Sequence, residues 1–486
     1  MALGFWKLAG EDPGHLALVE PDGTEHKAGE LLAACNQVAH GLRAAGVQRG
    51  DTVATLLHND GGFMELYLGA MQIGAYLVPI NWHLAPPEIQ YIVEDAESKV
   101  FVDTPDALAK LEDGQSTDPP DDRWAGAVMN YTSGTTGRPK GVRRPLAELD
   151  PDTNAELHTF LLNLFDITPH GDNVHLVAAP LYHTAVLNFG SASLNMGHTL
   201  VLMDKWTPEG TLERIDRYKV TTTHMVPTMF HRMLALPDEV KQKYDVSSLR
   251  QVIHSAAPCP IDVKRRMLEW WGPTIYEYYA ATEGGGTLVT PEEWLQKPGT
   301  VGKPWPISEV KVFDDDGNEL GPGQIGTVYM KMGDIQFEYH GDEEKTRQSW
   351  MHGFFTVGDA GELDEDGWLF LRDRKSDMII SGGVNIYPAE IEGELLTHPK
   401  VGDAAVFGIP DDDWGEQIKA VVEPGEGVAP GSDLERELIE FCAGRLAKFK
   451  LPKSIDFVAE LPRDPNGKLY KRKLRDPYWE GRERQI

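Results

Sequence analysis

Residues 131–141 combine the residue types that hold phosphate groups. The segment places hydroxyl side chains and three glycines around one lysine, Lys140. Glycine lets backbone N–H groups close on phosphate oxygens, hydroxyls add donors, and the lysine supplies positive charge. The common triphosphatase loop requires Gly-Lys-[Ser/Thr], whereas here Pro139 precedes the lysine and Gly141 follows it. The segment therefore predicts a phosphate-binding loop of another kind, with a flexible surface hairpin as the alternative.

Other candidates for chemistry are single polar or charged residues at turns. Thr282 and Glu283 end a tyrosine-rich segment, and Asp359 follows a Val-Gly pair. Carboxylates at such positions are often turn residues or helix N-caps. Lys468, taken alone, is typical of a solvated basic run. By residue type and spacing alone, Glu283 and Asp359 are either structural carboxylates or groups with a chemical role, whereas the solvated basic run is the favoured interpretation of Lys468.

The charge of the chain excludes some classes of partner. The net charge of the 486 residues is −30, so neither nucleic acid nor an anionic membrane is expected as a general partner. The stretch from Arg445 to Arg475 is the exception, with 10 Lys and Arg against 3 Asp and Glu. A basic patch on an acidic protein indicates a local site for an anion.

Helices and strands alternate over most of the length, which predicts mostly parallel sheets covered by helices. The stretch 103–122 is rich in acids, Pro and Gly and is expected to be an exposed connection. The helices are expected at residues 31–45 and 62–73, and the strands at 51–57, 127–130, 174–178, 199–203 and 252–254.

The pattern changes after about residue 301 to short alternating strands separated by turns. A strand at 368–371 precedes a predicted boundary, after which a smaller α/β unit follows. The expected fold class is α/β. The expected domains are residues 1–375 and residues 376–486.

Composition favours a reducing, cytoplasmic compartment. Cys35, Cys259 and Cys442 are far apart, odd in number and without Cys-x-x-Cys spacing, which argues against disulfides and thiolate metal sites. The longest apolar run, residues 67–80, is too short to span a bilayer, and residues 1–10 do not have the pattern of a signal peptide. Neither a transmembrane segment nor a signal peptide is therefore expected, and a homodimer is left open.

The loop at 131–141 resembles the phosphate loop of the acyl-adenylate-forming superfamily, which includes acyl-CoA synthetases, peptide-synthetase adenylation domains and beetle luciferases. Four further blocks match this family in the right order, so the resemblance covers nearly the entire chain. The blocks are Glu277-Tyr-Tyr-Ala-Ala-Thr-Glu283, Phe355-Thr-Val-Gly-Asp359, the segment Arg374 to Glu390, and Pro462-Arg-Asp-Pro-Asn-Gly-Lys468.

The resemblance implies a fold and a reaction. The fold is a large domain of βα-layered sheets with a small β-barrel-like subdomain, followed by a small mobile C-terminal α/β domain. The reaction uses ATP, Mg²⁺ and coenzyme A: a carboxylate attacks the α-phosphate to give an acyl-adenylate and pyrophosphate, and a thiol then displaces AMP. Because the triphosphate is highly anionic, most of the catalytic help must be electrostatic.

The resemblance also implies roles for individual residues. Lys468 would bridge the attacking carboxylate and the α-phosphate, Thr282 would donate to that phosphate, and Glu283 would hold Mg²⁺. The residues implied to bind ATP or AMP are Thr132, Ser133, Gly134, Thr135, Thr136, Gly137, Lys140, Ala257, Glu277, Tyr278, Tyr279, Asp359 and Arg374.

The second step is assigned to the small domain. Ser381, Gly382 and Gly383 would line a pantetheine tunnel, with a simple tight turn as the alternative. Lys448 and Lys450 would hold the phosphates of coenzyme A, unless they form a solvated helix face. Since Lys468 and Gly382 are 86 residues apart in a small domain, rotation between the half-reactions is expected.

The hinge of this rotation is expected at Lys375 and Ser376. Many relatives carry Asp or Lys at the position of Ser376, so the serine is a departure from the family pattern. It puts the rate and balance of the rotation in doubt and leaves the adenylation chemistry untouched.

The identity of the acid is less constrained. His183, Ala280 and Gly284 are the candidates for the acyl pocket, although a histidine in an apolar run is often a core residue. Near His183 there is no aspartate to hold an ammonium group, so an α-amino acid is disfavoured. A fatty, alicyclic or aromatic acid is expected.

Three alternative functions use the same motifs. A luciferase-like oxygenase would share the adenylate, but no feature of the sequence indicates oxygen chemistry. A second alternative passes the acyl group to a carrier-protein thiol or to a separate ligase, and the sequence does not separate it from coenzyme A because both thiols end in pantetheine. A non-catalytic nucleotide-binding regulator is disfavoured because Lys468, Thr282 and Glu283 are intact.

Overall fold

The structure, a computed structural model, describes residues 3–132, 139–170, 172–334, 336–463 and 467–480, without the side chain of Thr132. Its strands are short except for two in the C-terminal part. In chain order they are β1 Leu16–Val19, β2 Glu25–Lys27, β3 Thr52–Thr55, β4 Tyr76–Pro79, β5 Val100–Val102, β6 Ala127–Val128, β7 Asn130–Thr132, β8 Lys140–Arg143, β9 Val174–Val177, β10 Thr199–Leu202, β11 Thr222–Met225, β12 Gln251–His254, β13 Ile275–Ala281, β14 Gly284–Val289, β15 Lys303–Pro304, β16 Ser308–Phe313, β17 Gly326–Met332, β18 Glu338–Tyr339, β19 Trp350–Met351, β20 Phe354–Phe355, β21 Asp359–Leu363, β22 Leu369–Arg374, β23 Ile379–Ser381, β24 Val384–Ile386, β25 Val401–Asp411, β26 Gly415–Pro424 and β27 Ser454–Phe457.

The helices alternate with these strands over most of the chain. They are α1 Phe5–Glu11, α2 Ala28–Ala44, α3 Gly61–Met71, α4 Pro86–Asp95, α5 Pro105–Glu112, α6 Pro151–His158, α7 Phe160–Asn163, α8 Thr184–Asn195, α9 Pro208–Tyr218, α10 Pro227–Leu234, α11 Asp238–Lys241, α12 Ile261–Trp271, α13 Pro291–Gln296, α14 Glu343–Gln348, α15 Pro388–Leu396, α16 Ser432–Ala443 and α17 Lys471–Arg475, with 3₁₀ turns at Lys375–Asp377, Lys448–Lys450 and Asp476–Trp479.

The chain divides into two compact units. The first contains Met1–Met225, Pro237–Ile253 and Ile335–Gln348, and the second contains Val226–Leu236, His254–Asp334 and Ser349–Ile486. The boundary predicted at residues 375 and 376 lies inside the second unit and stays a prediction.

The first unit holds the predicted parallel sheets. One has the strand order β12-β11-β9-β10-β1-β2, and the other has the order β5-β3-β4-β6 with every neighbouring pair parallel. Strands β3, β4 and β10 are buried along their whole length, as expected for sheets covered by helices on both faces. A third sheet has the order β18-β8-β7.

The second unit is built from three further groups of strands. Strands β13, β14 and β15 are antiparallel, and an antiparallel six-stranded sheet contains β16, β17 and β19 to β22. A five-stranded sheet has the order β24-β23-β26-β25, with β27 parallel to β26. Its apolar face is buried together with Leu395 of α15 and Leu438 of α16. The α/β class and the change to short antiparallel strands after residue 301 are as predicted.

One predicted connection contains a helix. The stretch 103–122 is mostly exposed, as expected, but α5 lies within it. Thr104 is its N-cap, accepting from the N–H of Ala107 (3.3 Å), and Pro105 occupies the first helical position. Leu108 is buried. The N-cap, the proline and the burial of Leu108 together stabilise this helix despite its acidic composition.

Among the described residues, no helix is long and apolar enough to cross a membrane.

Candidate active site

Tyr279, Asp359 and Arg374 meet in the second unit, where the nucleotide site was predicted. The Tyr279 hydroxyl donates to Asp359 Oδ2 (2.6 Å), and Arg374 Nε lies 3.6 Å from Oδ1. Asp359 and Arg374 are paired across β21 and β22, which fixes this arrangement in the ladder. Burial and the carboxylate raise the pKa of Tyr279 well above its usual value, so the phenol remains a donor. The carboxylate is thereby oriented, with lone pairs left for ribose hydroxyls.

Thr282 and Glu283 form the turn between β13 and β14. Glu283 is only 5% exposed, and its charge acts on Tyr279. The register shifts between Ala280 and Ala281, so the hairpin bulges immediately before the turn. Bulges re-aim side chains near functional sites. A buried carboxylate beside the Tyr279–Asp359 pair is a suitable place for a cation to be held.

Two predicted acyl-pocket residues lie on this hairpin. Ala280 is paired with Gly286, where an added Cβ would come within 2.9 Å of the Ala280 Cβ. The absent side chain of Gly286 thus leaves room for the methyl group of Ala280. Gly284 has a φ of 131° and faces Met332. Gly286 therefore makes room for Ala280 on the neighbouring strand of the hairpin.

Glu277 uses its side chain in the core. Its carboxylate accepts from Lys264 Nζ (2.7 Å) and lies 3.4 Å from His254 Nε2, all three side chains being buried. Lys264 also lies over the ring of Trp294 (4.8 Å). A nucleotide contact from Glu277 would therefore have to come from its backbone, and its predicted role stays a prediction.

Tyr278 and Ala257 are the other predicted nucleotide contacts in this unit. Tyr278 is buried, its ring lies 6.4 Å from that of Trp305, and burial raises its pKa to about 12. Ala257 follows the exposed Ala256, whose φ of 73° is unusual for a residue with a Cβ. A non-glycine residue in this conformation often marks a functional loop.

The first unit carries the described part of the predicted phosphate loop. Lys140 opens β8, is paired with Thr132 of β7, and its Nζ lies 3.7 Å from Asp342. The side chain of Thr132 and the predicted phosphate-binding residues Ser133, Gly134, Thr135, Thr136 and Gly137 lie outside the described part of the chain. Their roles stay predictions.

His183 of the first unit adjoins an aromatic cluster that the sequence did not reveal. His58, Trp82 and His83 are stacked, with ring centroids 4.2 and 3.5 Å apart. The Tyr182 hydroxyl lies 3.4 Å from His83 Nδ1, and its ring lies 4.4 Å from that of His183. These residues come from three separate loops, so no local spacing could have grouped them.

The predicted pantetheine loop is the turn between β23 and β24. Ser381 pairs with Val384, which leaves Gly382 (φ 58°) and Gly383 (φ 79°) as a two-residue turn that needs left-handed backbone at both positions. The N–H of Gly382 donates to the carbonyl of Trp414 (2.8 Å). A Cβ on Gly382 would lie 2.5 Å from the Trp414 ring, which is 61% exposed. This exposed indole beside the turn was missed from the sequence.

The predicted phosphate-binding lysines lie on the 3₁₀ turn Lys448–Lys450. Lys450 Nζ donates to both oxygens of Glu390 (2.7 and 2.6 Å), so a coenzyme A phosphate would have to compete with this carboxylate. Phe449 between the two lysines is exposed. An exposed aromatic ring flanked by lysines is a surface on which a base can stack.

Lys468 follows a tightly packed glycine. Gly467 has a φ of 76°, and a Cβ there would lie 2.2 Å from Thr228 Oγ1 and 3.1 Å from Val226 Cγ2. Arg463 Nη1 donates to the carbonyl of Gly467 (2.6 Å). The backbone that presents Lys468 is therefore held from two sides.

The predicted hinge is the 3₁₀ turn Lys375–Asp377. Lys375 is paired with Asp315, and Arg475 Nη1 donates to the carbonyl of Ser376 (3.5 Å) and lies 3.6 Å from Asp377. Backbone and side chains of this segment are thus bound on both sides of Ser376.

Comparison with known families decides the identity of the fold. The model described as AMP-binding enzyme matches residues 5–336, and the model described as AMP-binding enzyme C-terminal domain matches residues 390–468. The chain belongs to the AMP-binding enzyme family.

Relatives within this family agree over almost the full length. A feruloyl-CoA synthase of Amycolatopsis sp is 35% identical, covering 97% of this chain and 98% of its own. The fatty acid–[acyl-carrier-protein] ligase ScoC of Streptomyces coeruleorubidus is 32% identical, covering 94% and 92%. The ATP-bound crystal structure of MatB from Rhodopseudomonas palustris is 31% identical with a TM-score of 0.83, covering 98% and 99%.

These matches confirm the predicted membership of the acyl-adenylate-forming superfamily and the predicted fold. They also confirm the prediction that this chain is an acid–thiol ligase that uses ATP to form an acyl-adenylate. The assignment of individual residues stays a prediction.

Proposed function

We propose that this AMP-binding enzyme joins a hydrophobic carboxylic acid to coenzyme A. The acid attacks the α-phosphate of ATP, pyrophosphate leaves, and the thiol of coenzyme A then displaces AMP from the acyl-adenylate. The observation that carries the proposal is the grouping in one unit of Asp359 with Tyr279, the buried Glu283, the Gly382–Gly383 turn and the loop of Lys468. Each part suits one step of this sequence.

The first step depends on placing opposite charges around a reactive phosphate. Asp359, oriented by Tyr279, accepts from the ribose hydroxyls and fixes the nucleoside. Thr282 donates to the α-phosphate from the bulged turn. Lys468 places its ammonium between the carboxylate of the acid and the α-phosphate, which reduces their repulsion. Lys140 and the loop before it hold the outer phosphates.

Glu283 is the residue proposed to hold Mg²⁺. Its side chain is an oxygen donor, which is the ligand type that Mg²⁺ prefers, and it is buried near the nucleoside end of the site. Among the described residues, no group of three His, Cys, Asp or Glu could enclose a metal ion. When bound, the ion neutralises charge on the triphosphate.

The two loops with separate tasks are attached to opposite ends of one long hairpin. Asp403, near the start of β25, binds Arg463 of the Lys468 loop, whereas Asp411 at its end accepts from the N–H of Trp414 beside Gly382. Eight strand residues at about 3.3 Å each separate these ends by about 26 Å. The two loops cannot serve one reacting centre together, which supports rotation of this part about Lys375 and Ser376 between the half-reactions.

A fatty, alicyclic or aromatic acid is the proposed substrate. His183 lies against Tyr182, which contacts the stack of Trp82 and His83, so this side of the predicted pocket is lined by rings. The relatives named above include one acting on an aromatic acid and one on a fatty acid, in agreement with this class.

A carrier protein remains the second candidate acceptor. ScoC is named for ligation to an acyl-carrier protein, and both acceptors end in the same pantetheine arm. The exposed Trp414 and Phe449 favour coenzyme A, because they offer faces on which its adenine can stack. A carrier protein has no adenine at that end of the arm.

The test separates the half-reactions. Ferulate, cinnamate, octanoate and dodecanoate are screened for acid-dependent ATP–pyrophosphate exchange, and thioester formation is measured on adding coenzyme A or an acyl-carrier protein. We expect exchange with at least one acid and thioester formation with coenzyme A. Lys468→Ala should lower exchange by about 100-fold or more while changing the Kd of ATP by less than about threefold.

Two results would contradict the proposal. Exchange that persists in Lys468→Ala removes the role assigned to this lysine. Thioester formation with the carrier protein alone replaces coenzyme A as the acceptor.

A further inference from the structure

Arg463 occupies an unusual place among the charged residues of the second unit. Its Nε and Nη2 donate to the two oxygens of Asp403 (2.5 and 2.8 Å), and both side chains are largely buried, at 14% and 7% exposure. Its remaining Nη1 donates to the carbonyl of Gly467, the residue directly before Lys468. One planar guanidinium thus joins β25 to the backbone of the lysine loop.

Strands β25 and β26 place two carboxylates side by side, which would be unfavourable without a cation nearby. Asp403 is paired directly with Glu423 across β25 and β26, and like charges in this position repel. Glu423 Oε2 accepts from the N–H of Leu461 (3.1 Å), two residues before Arg463. Both carboxylates are therefore used to hold the segment that leads into the lysine loop, and the guanidinium compensates their charge.

The far side of the loop is anchored as well. The N–H of Tyr470 donates to the carbonyl of Pro462 (2.8 Å), and Arg463 is bridged to Leu469. Lys471 Nζ then lies 2.9 Å from Glu392 in a buried ion pair. Since Gly467 is also packed against Thr228, the backbone of Lys468 has little freedom to move within this unit.

We infer that Arg463, held by Asp403, is a positioning residue that fixes the backbone at Gly467 so that Lys468 reaches the reacting carboxylate and α-phosphate. This inference rests on the proposed role of Lys468. Arg463 itself touches neither ATP nor the acid. Its effect is confined to the adenylation step, because the Gly382 turn lies at the other end of the β25–β26 hairpin.

A lysine cannot replace this arginine. An ammonium is a point charge and lacks the fixed fork that reaches two carboxylate oxygens and a carbonyl at once. We therefore expect Arg463→Lys and Arg463→Met to lower the kcat of ATP–pyrophosphate exchange by about 100-fold, as for a small misplacement of a catalytic group. The KM of ATP should change by less than about threefold, because ATP contacts are untouched.

The experiment compares these variants with the unmodified full chain in three measurements. They are exchange with ferulate or octanoate, thioester formation from synthetic feruloyl-AMP or octanoyl-AMP with coenzyme A, and amide hydrogen exchange of the peptide covering 467–472. Asp403→Asn tests the same link from the other side. Lys419→Met is the matched control. Buried Lys419 forms an ion pair with the more exposed Asp456 in the same sheet (2.5 Å).

The expected result is a selective loss of ATP–pyrophosphate exchange in Arg463→Lys, Arg463→Met and Asp403→Asn, with thioester formation within about threefold and faster hydrogen exchange at 467–472. Lys419→Met should keep both half-reactions. Exchange kept within threefold in the Arg463 variants, or an equal loss of both half-reactions, overturns the inference. If Lys468→Ala keeps exchange, the proposed role of Lys468 fails first, and that variant identifies this outcome.

Discussion

Contacts between single side chains orient the carboxylate of Asp359 in this site before any substrate binds. Asp359 receives the Tyr279 hydroxyl on one oxygen and faces Arg374 with the other. Glu277, two residues before Tyr279 on β13, lies on the same face of that strand but is neutralised by Lys264 in the core. The same face of β13 therefore places Glu277 in the core and, two residues later, Tyr279 in the candidate active site.

Removal of the Tyr279 hydroxyl tests this orientation of Asp359. Tyr279→Phe deletes a hydrogen bond to a charged group, which is worth about 1.5–3 kcal/mol in comparable sites. We expect the Kd of ATP, measured by calorimetry, to rise about tenfold or more, with a smaller change in kcat. Tyr244→Phe is the control, because its hydroxyl also donates to a carboxylate, that of Glu209 (2.8 Å), at an exposed position of the first unit. An unchanged Kd in Tyr279→Phe would show that the hydroxyl does not orient the ribose contact.

At the scale of elements, the β23–β24 hairpin connects a backbone turn to an exposed aromatic ring. Gly382 and Gly383 both need left-handed backbone, and the position of Trp414 depends on the missing Cβ of Gly382. The hairpin thus gives the two glycines different tasks. Gly383 has open space around it, whereas Gly382 keeps the indole in place.

Gly382→Ala tests this division. The new methyl group would lie 2.5 Å from the Trp414 ring, so the ring must move. We expect thioester formation from a synthetic acyl-adenylate to fall about tenfold, or about 1.4 kcal/mol, while ATP–pyrophosphate exchange is kept. Gly427→Ala is the matched control, since Gly427 has a similar φ of 76° and nothing within 4 Å of the added Cβ. Equal effects of both substitutions would assign the loss to backbone strain alone.

The elements also show how far the sequence alone could lead. The ends of the strand at 174–178 and of the helix at 62–73 were predicted within one or two residues. The spacing of apolar residues along each element is a local signal that the sequence carries directly. The pair of Tyr279 and Asp359 could not be predicted as a contact, since it joins positions 80 residues apart. The family blocks identified both residues, but only the pairing of β21 with β22 shows where the carboxylate of Asp359 lies relative to Tyr279 and Arg374.

Other contacts had no sequence signal at all. Asp403 and Arg463 are 60 residues apart in the sequence. An aspartate within an apolar strand gives no indication of which residue it will pair with. The short helix α5 was missed because its acidic composition hid the Thr104-Pro105 start signal. Long-range pairing and weak local signals therefore account for most of what was missed.

At the scale of the whole molecule, buried histidines link stability to pH. Burial lowers the pKa of His175 to about 3, of His224 to about 3 and of His198 to about 4. His175 and His224 lie against the ring of Phe189 in the first unit, and His175 Nδ1 is 2.9 Å from Thr222 Oγ1. The folded chain keeps these imidazoles neutral, whereas the unfolded chain binds protons near pH 6.5.

Buried acids act in the opposite direction, and Glu65 is an example. Burial, with Glu112 as the next cause, raises the pKa of Glu65 to about 8. The folded chain therefore binds this proton first, and the contribution of Glu65 to stability grows as the pH falls from about 8 towards 4.5. It offsets the effect of one histidine, so a substitution is needed to isolate the histidine contribution.

His175→Gln isolates one of the three histidines. Because its folded pKa lies below the unfolded value, its contribution is complete above about pH 6.5 and is lost as the pH falls, by about 1.4 kcal/mol per pH unit. The unmodified chain should therefore lose about 2 kcal/mol more than His175→Gln between pH 6.5 and 5.0, measured by urea unfolding. The variant should be less stable at pH 7.5, since its amide fills the imidazole site poorly. Thr211→Val, at a buried residue that carries no titratable group, should keep the slope of the unmodified chain. Parallel curves for the unmodified chain and His175→Gln would mean that His175 is not held neutral by its surroundings.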